Sequence, residues 1–144
     1  MRIVYGKDLE IFHPKRGTYW IYHILLVVDG DDVVAFGTAG HDLEVDLIGT
    51  RKGLRKKGLQ SALLATAREI LGEGASFVHN GWTSSDGRVV AHRLGVDMSS
   101  RVEAEHWMDD GEADDKAVEQ LAEYQSLYNE RRSEFRDVGL VHPE

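Results

Sequence analysis

Apolar and polar positions are arranged along this chain in two periods, and the change from one to the other divides it. Residues 1–5 form a short apolar run, and residues 19–28 a longer one rich in β-branched and aromatic side chains. Both predict strands. Asp29-Gly30-Asp31-Asp32 supplies turn chemistry before residues 33–37 resume the apolar pattern, which predicts a β-hairpin. Apolar and acidic residues then alternate over 43–48, as in a strand with one solvent-facing side, and predict a further antiparallel strand.

From Leu59 the period lengthens: Leu59, Ala62, Leu63, Ala67, Ile70 and Leu71 recur at three- and four-residue spacing. This predicts a helix packed on the sheet and ending near Gly72 or Gly74. Residues 75–79 predict a strand, and Ser84-Ser85-Asp86 an N-cap for a helix over 88–94 that Gly95 closes. Strand, helix and strand in that order imply a parallel pair joined by a right-handed crossover. The acidic stretch 109–115 reads as a break before a helix at 116–135. Its apolar stripe is narrow, so the helix is expected to dock on the domain or on a second copy of the chain, and a homodimer is one expected assembly. Residues 137–144, with Gly139 and Pro143, are expected to fray. The fold class is α+β: antiparallel strands, a β-α-β-α unit and a C-terminal helix. The expected organisation is a domain at 1–108 and a linker with docking helix at 109–144.

Composition narrows the function. With 42% apolar and 29% charged residues the chain reads as an ordinary globular domain, and no apolar run approaches the roughly 20 residues that span a bilayer. No membrane association is expected, and the absence of a secretory pattern at the start predicts a cytoplasmic protein. Cysteine is absent, which removes thiolate metal sites and a cysteine nucleophile. The seven histidines lack the spacing that puts two imidazoles on one helical face, so no metal is expected. A net charge of −8 disfavours nucleic acid as a partner. Against that acidic background Arg51, Lys52, Arg55, Lys56 and Lys57 form one basic segment to which an anionic ligand would be drawn.

That segment joins a strand to a helix, and the first amides of a helix lack intrahelical acceptors at its positive dipole end. Such a junction suits a phosphate, and Gly58 permits close backbone approach. Leu54-Arg55-Lys56-Lys57-Gly58-Leu59-Gln60-Ser61-Ala62-Leu63-Leu64 resembles the pyrophosphate-binding stretch of the GNAT superfamily of N-acyltransferases, Arg/Gln-x-x-Gly-x-Gly/Ala before a leucine-rich helix. Upstream, Glu44-Val45-Asp46-Leu47-Ile48-Gly49-Thr50 is similar to the family's fourth strand. Downstream, Val90-Ala91-His92-Arg93-Leu94-Gly95-Val96 is similar to its closing helix. The likeness covers residues 19–96.

The resemblance implies an N-acyltransferase that moves an acyl group from acetyl-CoA, or another acyl-CoA, directly to the amine of a small molecule or protein. It implies a thioester held by the backbone of Ile48, Gly49 and Thr50, and a pyrophosphate held by Arg55, Lys56, Lys57, Gly58, Leu59, Gln60 and Ser61. An acceptor amine arrives protonated near neutral pH and needs a general base. Asp46 and then Glu44 are the candidates, because strand alternation puts both on one face. Alternatively, both are the wet side of an amphipathic strand, and backbone amides alone activate the thioester. His79, Trp82 and Trp107 are candidate acceptor-pocket residues.

Three departures from the family pattern stand out. Gln60 replaces the second glycine or alanine, where its side chain would crowd a pyrophosphate or donate to it. Ala91 stands where many members carry a tyrosine acid, and Ser84 where an asparagine is common. About a dozen residues separate the first strand from Tyr19, too few for the two helices that usually wall the acceptor site. A non-catalytic GNAT-like module acting through protein or nucleic-acid contacts is therefore the alternative function. Serine hydrolase and Walker chemistry are excluded, since neither the G-x-S-x-G elbow nor the Lys-Ser/Thr pair of a phosphate loop occurs.

Overall fold

Apolar residues recur beyond Tyr5 at Leu9 and Ile11, and the first strand follows them. In the computed structural model, which describes residues 1–41, 45–55, 57–72 and 110–143, β1 spans Arg2–His13. It passes into β2 (Gly17–Asp29) through Pro14, Lys15 and Arg16, with Arg16 N–H donating to His13 O at 3.2 Å and Gly17 at φ 73°. A three-residue loop closing on a left-handed glycine is a favoured hairpin connection. The segment expected to link two separate strands is thus itself strand and turn, which corrects the expectation of a short first strand at 1–5.

A second tight turn, with Gly30 at φ 61°, leads into β3 (Asp32–Ala39), and β4 (Val45–Thr50) runs antiparallel to β3. The expected end-fraying is overturned as well. β5 (Arg136–Leu140) pairs antiparallel with the outer edge of β1, and Val141 N–H donates to Met1 O at 3.0 Å. The physical reason is apolar: Val138 packs into the core and Val141 is buried, so this short segment both satisfies β1's edge groups and covers apolar surface. Among the described residues the sheet has five strands, all antiparallel, in the order β4-β3-β2-β1-β5. The strand expected at 75–79, the helix at 88–94 and the parallel crossover lie outside the described residues.

Two helices cover opposite faces. α1 (Leu59–Leu71) sets Leu59, Leu63 and Ala67 against Ile3, Tyr5, Leu25, Val27 and Ala35. α2 (Asp110–Glu130) sets Tyr124, Leu127 and Tyr128 against Val4, Ile24, Leu26, Val28 and Phe36. Strand alternation supplies both faces at once, and each leucine-sized side chain buried this way stabilises by about 1.5–3 kcal/mol. α2 starts before the expected 116 because the acidic run read as a break is its first turns, where carboxylates favour the positive end of the helix dipole. It also stops at Glu130, short of Phe135, whose ring instead packs on Tyr128 with centroids 5.6 Å apart. The narrow stripe of α2 therefore docks on the chain's own sheet. Among the described residues no helix is long and apolar enough to cross a membrane.

β1 and β2 change faces together. Val4 and Leu9, five positions apart, share the α2-side cluster, as do Ile21 and Ile24, three apart. The break falls at Asp8, which has φ 53°. Beyond it Phe12, Trp20 and Tyr22 are exposed on the hairpin's other face.

Candidate functional site

The basic segment lies between the end of β4 and the start of α1, as the residue order requires. Lys52–Leu54 form one 3-10 turn, and Gly58 follows at φ 80° and ψ 8° as the N-cap of α1. That left-handed conformation costs other L-residues roughly 1–2 kcal/mol, so glycine here is a backbone requirement. Among the described residues no side chain caps α1, and its first turn carries no acidic residue. The amides of Leu59, Gln60 and Ser61 therefore present a positive end to whatever anion approaches.

The ladder of β4 orients a second set of amides. Arg51 N–H donates to Val34 O at 2.8 Å. In an antiparallel ladder the bonded pairs alternate, so the N–H groups of Ile48 and Thr50 turn away from β3 toward the outer edge of β4. Gly49 lies opposite Phe36, and a Cβ there would stand 2.4 Å from the ring. β4 thus reaches its position only because residue 49 has no side chain. Leu47 pairs with Thr38 and Val45 with Ala39, which leaves Asp46 as the extra residue of a β-bulge. A bulge interrupts the period-two alternation on which a shared face for Glu44 and Asp46 was expected. Glu44 itself, like Lys56, lies outside the described residues.

Gln60 is where the site departs most from expectation. Its side chain is 8% exposed and turns inward, donating from Nε2 to Gly49 O at 2.9 Å, Thr50 Oγ1 at 3.0 Å and Phe36 O at 3.3 Å. It straps α1 to β3 and β4, so its side chain turns inward to the sheet. Helical periodicity explains the direction: Gln60 shares the buried side of α1 with Leu63 and Leu64. Gln60 Oε1 is buried without a partner among the described residues.

The cations differ in availability. Arg55 donates from Nε to Thr50 O at 3.2 Å and pairs through Nη1 with Asp114 of α2 at 2.5 Å. Lys52 reaches the same carboxylate at 3.5 Å, its side chain otherwise 81% exposed. The hydrogen bond from Arg55 holds the Asp114 carboxyl below its usual range. Lys57 and Ser61 are exposed, while the Leu59 side chain is core and only its backbone faces the junction. Sequence reasoning missed Asp114, although its place in the acidic run beside a basic segment was a usable signal of charge pairing.

Beneath α1 the sheet leaves a cavity of about 30 Å³, walled by Gly37, Ala39, Ile48, Leu63 and Ala67, with Gln60 as a polar member. That is room for roughly two water molecules. His23 also lines it, and its Nδ1 lies 2.6 Å from Tyr5 Oη. Burial, reinforced by Lys7, pushes the pKa of the His23 imidazole below its ordinary value.

Chemically, the junction offers one set of amides for a phosphate and another, on β4, for a polarised carbonyl. Cations lie beside both. His79, Trp82, Ser84, Ala91, His92 and Trp107 lie outside the described residues. Among the described residues no cluster of acidic and histidine side chains could hold a metal ion. No protein-family model matches the chain, and neither a curated protein nor a solved structure matches it.

Proposed function

We propose that this chain binds an acyl-CoA at the β4–α1 junction and transfers the acyl group directly to an amine. The observation that carries the reading is the pairing, across one short basic loop, of two amide sets without partners among the described residues: Ile48 and Thr50 on the edge of β4 away from β3, and the first turn of α1 behind a left-handed Gly58. The residues fit the group. An anionic pyrophosphate matches the helix start with Lys57 and Lys52 beside it, and the Gln60 side chain turns inward to the sheet. A thioester supplies an acyl carbonyl already activated toward amines. The chain's part is to hold that carbonyl with the β4 amides, strengthening its polarisation as negative charge develops on oxygen. Asp46 at the bulge is the proposed base, taking a proton from the acceptor nitrogen as the nitrogen–carbon bond forms and the sulfur departs. The acceptor is a small-molecule or protein amine.

The Asp114 carboxylate on Arg55 and Lys52 favours a second reading, in which the charge of the loop serves to hold α2 and the domain is a non-catalytic interaction module. Calorimetric titration with acetyl-CoA separates the two. Ser61→Glu is the informative control, because a carboxylate in the first turn of α1 stabilises the helix by about 0.3–1 kcal/mol while competing for the same amides. Micromolar binding that weakens at least tenfold in this variant, with unchanged or higher Tm, supports the cofactor reading. No heat of binding in the parent protein refutes it in favour of the module.

A further inference from the structure

Native interiors leave few voids, and a buried acceptor without a donor is a cost that folding ordinarily avoids. Both occur here in one place. The cavity under α1 is mostly apolar, its sheet wall is cut back to Gly37 and Ala39, and with His23 and Thr38 its polar members include Gln60, whose Oε1 is buried without a partner among the described residues. The amide of Gln60 cannot resolve this by rotating, since Nε2 faces two carbonyl oxygens that would then confront Oε1. Position makes the void more than a packing defect. Ile48 walls it with its side chain and turns its backbone N–H to the outer edge of β4, where the acyl carbonyl is placed in the proposed function.

We infer that this cavity is an acyl-chain pocket, and that the preferred donor carries a short straight chain about two carbons longer than acetyl. The inference rests on the acyl-CoA reading of the β4–α1 junction. Two water-sized volumes accept about two methylene groups and no ring. The apolar walls favour a saturated chain. Chain carbons beyond that length exceed the space of about 30 Å³ that the cavity offers.

The test is calorimetry with coenzyme A, acetyl-CoA, butyryl-CoA and octanoyl-CoA on the full chain and on Gly37→Val. A Cβ at Gly37 stands in ordinary contact with Ile48 and Leu63, at 3.9 and 4.0 Å, so a side chain there starts on the cavity wall and takes up its space. Ala39→Leu, from the same wall, is the second variant should Gly37→Val fail to fold. Burial of about 0.8 kcal/mol per methylene is close to fourfold in affinity, so butyryl-CoA is expected to bind about fifteenfold tighter than acetyl-CoA, with little or no further gain for octanoyl-CoA. In either variant that gain disappears while acetyl-CoA binds as before. If butyryl-CoA binds no tighter than acetyl-CoA, or keeps its advantage in a folded variant, the pocket is refuted and the acyl-CoA reading stands. If coenzyme A and all its thioesters fail to bind, both fall.

Discussion

Replacing Gly49 with alanine tests whether β4 is held where the site requires it. The new methyl carbon would stand 2.4 Å from Phe36 Cε1 and 2.6 Å from Cζ. Ordinary carbon–carbon contacts lie near 3.5–4.0 Å, so ring and strand must part by about 1 Å or more. The ring has nowhere to go. Phe36 is fully buried, and its other side meets Tyr124 edge-on at a centroid distance of 4.7 Å. Overpacking of this kind costs about 1–3 kcal/mol, offset by about 0.4–1 kcal/mol from the stiffer unfolded chain. A net loss of about 1–2 kcal/mol should lower Tm by roughly 3–8 °C in a chain of this size. Thermal melts and urea titrations followed by circular dichroism would measure it. The assignment also predicts rescue: in a Phe36→Leu background the alanine should cost far less, with a coupling of about 0.5–3 kcal/mol for residues in contact. A Gly49→Ala protein as stable as the parent, or a cost unchanged by Phe36→Leu, refutes the reasoning.

Three further outcomes follow from the same geometry. His23 has its pKa lowered from 6.5 in the folded state, so its contribution is complete above about pH 6.5 and is lost as pH falls below that value; Tm measured from pH 7.5 to 5 should decline less steeply in His23→Gln, and an identical slope would remove His23 as the cause. Asp114→Asn removes the negative charge beside Lys52 and Arg55, and acetyl-CoA affinity should rise severalfold with a steeper salt dependence; weaker binding would mean that Asp114 positions the cations instead. Asp46→Asn should slow thiol release with an amine acceptor by about 10²–10⁴-fold and leave thioester affinity intact, whereas an unchanged rate assigns the proton to another base.

What could be read from the residues, and what could not, follows physical lines. The β2–β3 hairpin, the strand ending at Thr50 and the helix from Leu59 to Leu71 carry strong local periods with glycine punctuation, and the structure has them. The first strand was under-read because β1 and β2 change faces at Asp8, which breaks the alternation that sequence reading relies on. β5 was missed for a different reason: a five-residue strand becomes favourable only through its partner, and that partner is β1, more than 130 residues away in sequence. At the candidate site the left-handed glycine and the basic loop were legible. The direction of Gln60 was not, because it depends on unsatisfied oxygens of β3 and β4 that no local pattern encodes.

The pairing of β5 with β1 also sets a clock. The β1–β2 hairpin closes over three residues and can form within about 1–10 μs of becoming available. Its outer edge has to wait for residues 136–140. At a synthesis rate of about 5–20 residues per second, the roughly 107 residues between Asp29, where β2 ends, and Arg136 take about 5–21 s to emerge. Through that interval a newly made chain carries an unpaired, apolar strand edge, open to any other extended segment nearby. Co-translational chaperone capture or aggregation during overexpression would therefore be decided at β1, before the strand that covers its edge has been made.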